Sequence, residues 1–303
     1  MNYFASSLES NSKLNKAIIC NHMEIANSSL YYQPKLPAKD LELKRQIEAV
    51  ILEHKAYGYR RIAIHLGVNK KRVYRVMKLF DIKAPKIRKK PRLKKNKLPV
   101  NSTQNLLLDF LLNKPNQVWV SDFTYLSYQN KFIYLATILD AFTRELIAWN
   151  ISLRHNKELI TTTLINAIAK RNKSPTIFHS DQGSEYRSYD LINILKSKNI
   201  KSSMSKKSSP WENGKQESFY QKFKFELDDL NSYPGQGELI EAIALQIYYY
   251  NHKRIHSALK MPPADFYQRF IAAENLKNIT SKNMELLHIP LQGDMQNNNE
   301  LII

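Results

Sequence analysis

Three short segments constrain the fold more than anything else in the chain: VWVSDFTYLS from Val118, KFIYLATILDAF from Lys131 and ELIAWNISLRH from Glu145. Each is rich in β-branched and aromatic residues, and only a few residues separate one from the next. That pattern predicts a meander of antiparallel strands. The texture then changes to alternation. Asn156 is placed to cap a helix running to about Lys170, TIFHSD reads as a buried strand, and a helix is expected near Tyr189 to Ser197. A short strand, IKSSMS, a loop, SKKSSPWENG, and another helix follow. Three strands followed by alternating helices and strands give an α/β class, a mixed sheet covered by helices.

This order fixes where three acids fall. Asp122 sits in the middle of the first strand, Asp181 at the end of the buried strand, and Glu217 on the helix after the loop, with 35 residues between positions 181 and 217. An acid in an apolar strand needs partners, because burying an unpaired charge is costly. Any one of them alone reads as a cap, a turn or a salt bridge. Three in these contexts, within a basic chain, read as hard oxygen ligands. Two Mg²⁺ ions about 4 Å apart activate an attacking oxygen and stabilise the leaving oxygen of a phosphodiester.

The helix carrying Glu217 has two faces. At about 100° per residue, Asn213, Gln221 and Lys224 fall close to Glu217, and Phe219, Tyr220, Phe223, Leu227 and Leu230 fall on the opposite side. Glu217 is therefore expected to point outward, with Lys224 two turns beyond it.

Upstream, a helix is predicted from Asp40, as N-cap, to about His54, with Leu41, Ile47, Val50, Ile51 and Leu52 as its apolar stripe. Pro34 and Pro37 in the preceding connector bar a helix interior there. YGYRRIAIHLG predicts a short second helix ending at Gly67. Asn69 is placed to cap a third, KKRVYRVMKLF, with Val73, Val76, Met77 and Phe80 buried and Lys71, Arg75 and Lys78 opposite. A short helix, a glycine turn and a basic helix form the pattern of a helix-turn-helix DNA reader, with Arg60, Arg61, Lys71, Arg75 and Lys78 as candidate contacts. A small bundle with a solvated basic face gives the same pattern.

Between Lys83 and Lys97 lie nine basic residues, Arg88, Lys89 and Lys90 in a row, and no acid stands between Asp81 and Asp109. Pro85, Pro91 and Pro99 prevent a continuous helix. The segment reads as an extended linker that tracks phosphates or serves as a solvated hinge. A formal net charge of +19 over 303 residues favours a polyanionic partner, nucleic acid first. The single cysteine, Cys20, excludes an internal disulfide and a Cys-pair zinc site, and fits a reducing cytosol. No apolar run is long enough for a membrane span. His252 and His256, four apart, have the spacing to share a helix face, and in the absence of further ligands they read as caps or DNA contacts ahead of a metal pair. A further helical piece is expected around Ala264 to Phe270.

Several motifs together resemble one family. WVSDFTYL (Trp119, Ser121, Asp122, Thr124), LATILDAF with Arg144, HSDQGSEY (His179 to Tyr186), NGKQESFYQKFKFE (Asn213, Glu217, Ser218, Phe219, Lys224) and YNHKRIHSALKMPPADF are similar to motifs of the OrfB-type transposases of the insertion-sequence-three group. YGYRRIAIHLGVNKKRVYRVMK resembles the helix-turn-helix that precedes their core. The resemblance covers about residues 28 to 270. Glu212 stands where the group often has Asp, and Lys215 and Gln216 replace small residues.

The resemblance implies a ribonuclease H-like core of the retroviral-integrase type, preceded by a small all-α helix-turn-helix domain. It implies that Asp122, Asp181 and Glu217 bind two Mg²⁺, for which Mn²⁺ substitutes, and that Lys224 touches DNA near the cleaved end, beside Asn213 and Gln221. The activity implied is nicking at element ends and attack of the freed 3′-hydroxyl on target DNA. The expected partition is an N-terminal extension (1–36), the helix-turn-helix domain (37–82), the basic linker (83–114), the core with its C-terminal helices (115–270) and a tail (271–303). The expected partners are DNA, a second copy of the chain, and an upstream-frame protein or fusion, in a bacterial cytoplasm at the nucleoid. A non-catalytic DNA-binding or regulatory fragment stays open as the alternative.

Overall fold

The computed structural model describes residues 20–24, 26, 28, 36–84, 105–107, 110–205, 214–227 and 229–286, with side chains as far as residue 279. Arg88, Lys89, Lys90, Asn213 and most of the basic linker lie outside the described residues.

Five strands form one mixed sheet in the order β3-β2-β1-β4-β5. β1 (Val118–Tyr128), β2 (Lys131–Asp140) and β3 (Leu146–Ser152) are the antiparallel meander, and β4 (Ile177–Ser180) and β5 (Lys201–Met204) add in parallel beside β1. A parallel addition requires a crossover. The crossovers are α4 (Lys157–Arg171), capped by the Asn156 side chain on Leu159 N–H, and α5 (Tyr189–Ser197).

Side chains on a strand alternate between faces, so each face builds its own core. Val118, Val120, Leu126 and Tyr128 point to the face covered by Phe219, Tyr220 and Phe223 of α6 (Gly214–Glu226) and Leu239, Ile243, Ile247 and Tyr250 of α7 (Gln236–His252). Leu106, Leu107, Phe110 and Leu112, at the end of the segment read as linker, pack against this core. Trp119 points to the other face, where α4 and α5 supply Leu159, Leu164, Leu191 and Leu195.

Among the described residues from Leu36 on, three helices precede the sheet: α1 (Leu36–Glu53), α2 (Tyr59–His65) and α3 (Lys70–Leu79). Gly67 adopts φ +64° in the α2–α3 turn, a left-handed conformation that glycine takes without steric cost. Asn69 caps α3 through Lys71 N–H at 2.8 Å, as its position predicts. Val73, Val76 and Met77 are buried and Phe80 is half-buried. Ile255 of the core joins this cluster, and its N–H donates to Tyr57 Oη at 2.6 Å.

The first helix departs from the sequence expectation. α1 begins at Leu36, with Pro37 in its first turn, where the missing N–H costs nothing. Asp40 is therefore no N-cap. It is a buried residue inside α1 whose two oxygens receive Arg75 Nη1 and Nη2 at 2.7 and 2.6 Å. The buried stripe is Leu43, Ile47 and Val50, and Leu41 and Leu52 are exposed. At the other end, α8 (Pro263–Leu286) runs 24 residues rather than the short piece expected around Ala264 to Phe270, and crosses from the expected core into the expected tail.

Candidate active site

The sheet register brings Asp122 and Asp181 together. β1 and β4 pair Val118 with Ile177, Trp119 with Phe178 and Val120 with His179. Two residues beyond the last pair the two strands lead to Asp122 and Asp181, near enough for the Asp181 charge to act on Asp122. Asp181 follows directly on β4. Its Oδ1 accepts Gly183 N–H at 2.9 Å, and a Cβ on Gly183 would stand 3.1 Å from that oxygen and 2.9 Å from Glu185 Oε2. The glycine of HSDQG leaves room for the carboxylate in a tight turn.

Asp122 shares its face of β1 with Val118 and Val120, the face on which α6 lies. Two residues lock α6 there. Tyr220 Oη donates to the Asp122 carbonyl at 2.7 Å and lies 2.8 Å from Thr137 Oγ1. Gln216, fully buried, donates through Nε2 to the Thr137 carbonyl at 3.2 Å and also bonds the Thr137 hydroxyl. Thr137 is the β2 partner of Asp122. Glu217, the next residue after Gln216, is thus carried to the edge of the Asp122 site with its side chain exposed.

The charges of the three acids reach one another, although their carboxylate oxygens do not all lie within 4.8 Å of each other. Burial pushes the Asp122 carboxyl up to about 7. The charges of Asp181 and Glu217 push it the same way, against one stabilising bond from Phe123 N–H at 2.8 Å. Repulsion among three carboxylates is what a divalent cation relieves, and an all-oxygen donor set suits Mg²⁺. The residues fit the ions the sequence implies.

Lys224 and Gln221 share the exposed face of α6 with Glu217, as the helix angles predict. Lys224 Nζ donates to the Tyr125 carbonyl at 2.8 Å and lies 4.9 Å from the centre of its ring. Tyr125 is exposed and meets exposed Phe132 edge-on, an aromatic pair beside Lys224 that the sequence reading did not single out. Exposed aromatics at alternate strand positions were the available signal.

In the helical domain, Arg60, Lys71 and Lys78 are exposed. Arg75 and Arg61, offered as DNA contacts, have other work in the structure. Arg75 holds Asp40 and keeps its carboxyl below the usual range. Arg61 reaches the Ala56 carbonyl at 3.1 Å and Ser257 Oγ at 3.3 Å, tying the domain to the core. His252 ends α7, stacked on Tyr248, and His256 lies past it in a bridge to Met261, so the two histidines do not share a helix face. No described helix is long and apolar enough to cross a membrane.

Two integrase core domain families match the chain, over residues 113–210 and 198–263. The transposase for insertion sequence element IS904 of Lactococcus lactis is 36% identical over 234 residues, 74% of this chain and 92% of its own length. The chain belongs to the insertion-sequence transposases. The transposase InsK of IS150 from Escherichia coli is 33% identical over 247 residues, 78% of this chain and 87% of its length. Transposase InsF of IS3A, also from Escherichia coli, is 37% identical over 131 residues, 43% of this chain and 45% of its length. The HTLV-2 integrase catalytic core domain overlaps 51% of this chain and 97% of its own, with 18% identity and a TM-score of 0.44. This transposase is of the OrfB type of the insertion-sequence-three group, with an integrase core of polynucleotidyl-transferase class.

Proposed function

We propose that this transposase binds the ends of its element, cleaves a strand there and joins the freed 3′-hydroxyl to target DNA, using Asp122, Asp181 and Glu217 to hold two Mg²⁺. The observation that carries this reading is the placement of Asp122 on β1, Asp181 at the end of the neighbouring parallel β4 and Glu217 on the exposed face of α6, which Gln216 and Tyr220 clamp to β1 and β2. When bound, the ions supply the charge that activates the attacking oxygen and stabilises the leaving one, and Mn²⁺ substitutes for Mg²⁺. The protein's own part is placement. Asp122 and Asp181 are fixed by neighbouring strands, and Glu217 by the anchoring of α6 through Gln216 and Tyr220.

Lys224, braced on Tyr125, offers its ammonium to a phosphate beside the acids, and Gln221 and Asn213 extend the same contact. Arg60, Lys71 and Lys78 read the element end from the helix-turn-helix, and Arg88, Lys89 and Lys90 hold the backbone between the two domains. Two ends must meet for joining, so the working form is a homo-oligomer on DNA, with an upstream-frame protein or fusion as a further partner.

A strand-transfer assay on element-end DNA tests this. With Mg²⁺ the protein should give nicked and joined products, and Asp181→Asn should bind the end equally well while giving neither. Absence of product from the unsubstituted protein, or product from Asp181→Asn, refutes the assignment.

A further inference from the structure

A second ligand cluster lies far along the chain from the acids, at the seam between the helical domain and the core. Glu53 ends α1, His54 follows it, and His65 ends α2. Among the described residues these three form the group whose carboxylate oxygen and ring nitrogens all lie within 4.8 Å of one another.

His54 is the built part of the site. It is 2% exposed, and its Nε2 is buried without a hydrogen-bond partner among the described residues. A buried unpaired ring nitrogen costs stability unless something occupies it. The ring is held rigidly, stacked on Tyr57 at 4.2 Å and with Nδ1 2.8 Å from Tyr249 Oη of α7. Glu53 Oε1 stands 3.6 Å from Nε2, beyond hydrogen-bond reach, and the His65 ring meets His54 edge-on at 5.0 Å. In the tautomer that donates Nδ1–H to Tyr249 Oη, Nε2 turns a lone pair toward Glu53 and His65. That is how a ligating histidine is oriented by its second hydrogen bond.

We propose that Glu53, His54 Nε2 and His65 bind one Zn²⁺, completed by water, which staples the ends of α1 and α2 together beneath α7 of the core. Two imidazoles and a carboxylate are a zinc donor set, whereas Mg²⁺ prefers oxygen alone. Ligand atoms around a tetrahedral zinc stand roughly 3.3 Å apart. The 3.6 Å between Glu53 and His54 is already near that, and Glu53 and His65 are exposed and free to turn inward. The nearby Arg254 charge is taken up by Glu226, at 2.6 and 2.8 Å from Nε, so it does not bar a cation.

The test uses the untagged full chain, stripped with chelator and titrated with Co²⁺ as a spectroscopic probe, then with Zn²⁺. One Co²⁺ per chain with visible absorption, displaced by Zn²⁺, is expected. It should persist in Asp181→Asn and weaken about tenfold or more in His65→Ala and in Glu53→Gln. Both of these sites are exposed, so the variants should melt like the parent protein in chelator. The site is refuted if the parent chain binds no Co²⁺ or Zn²⁺, if His65→Ala and Glu53→Gln bind as the parent does, or if binding disappears in Asp181→Asn.

Discussion

Replacing Asp122 with Asn should make the metal-free protein more stable, by an amount that depends on pH. Asp122 has its carboxyl raised from an ordinary 3.8 to about 7 by burial and by two acids. Below about pH 4 the group is protonated in both folded and unfolded chains, and Asn gains nothing. Between about 4 and 7 the unfolded chain ionises and the folded one does not. The unfolded state then binds fewer protons, and folding loses up to about 1.4 kcal/mol per pH unit. Above about 7 the loss is constant, with a ceiling of about 4 kcal/mol. Asn escapes this cost while still accepting the Phe123 N–H. Urea unfolding in chelator should therefore show Asp122→Asn more stable by about 2–4 kcal/mol at pH 8, and by about 1 kcal/mol or less at pH 4.5. Mg²⁺ at a thousandfold its Kd should reverse the order at pH 8, since it stabilises only the protein that binds it, by about 4.1 kcal/mol. A variant no more stable than the parent at pH 8, or a gap of the same size at pH 4.5, would refute the claim that three acids repel one another here.

Gly183→Ala should reduce joining about tenfold or more with little loss of melting temperature, because its Cβ presses on the Asp181 and Glu185 carboxylates rather than on backbone. End joining by the purified variant, at several Mg²⁺ concentrations, measures it. Gln216→Ala should cost about 1–3 kcal/mol in urea unfolding, by leaving the Thr137 pair unmade in a buried site, and should lower joining through the loosened helix. Lys224→Met should leave the fold unchanged and reduce the salt slope of DNA binding by about one, read from affinities across a salt series. Arg75→Ala should lower the melting temperature more than Lys78→Ala, because it strands Asp40, whereas Lys78→Ala acts only on DNA affinity.

What the sequence revealed and what it hid follow one physical line. The strands, the α4 cap at Asn156 and the outward face of α6 are local patterns, and local patterns can be read directly. Arg75 and Asp40 lie 35 positions apart, and nothing near Asp40 distinguishes an acid awaiting a long-range partner from one that starts a helix. Gln216 was readable in principle. It lies about 100° back from Glu217, in the sector of Phe219 and Phe223, so the helix angles alone turn it toward the sheet. Its polar character masked that position. The length of α8 was hidden for the opposite reason, since residues 272–279 are exposed all round and carry no apolar stripe to mark a helix.

The buried acids among the described residues show what half-buried Asp122 is not. Asp140, in the LDAF motif, accepts the backbone N–H groups of Asn116, Phe142 and Thr143 at 2.6, 2.8 and 2.9 Å and so closes the β2–β3 turn. Glu145 meets Arg171 at 2.5 Å, and Glu226 receives Arg254. Each is matched by donors or by a cation, as a structural acid must be. Asp122 has one backbone N–H and two further acids around it. A fold that satisfies its buried carboxylates, yet holds this one against its own kind by clamping α6 on β1 and β2, keeps local strain of the sort that persists where function uses it. On the two-metal reading proposed above, the missing partner is a divalent cation, which is why the order of stabilities in Asp122→Asn should invert when Mg²⁺ is added.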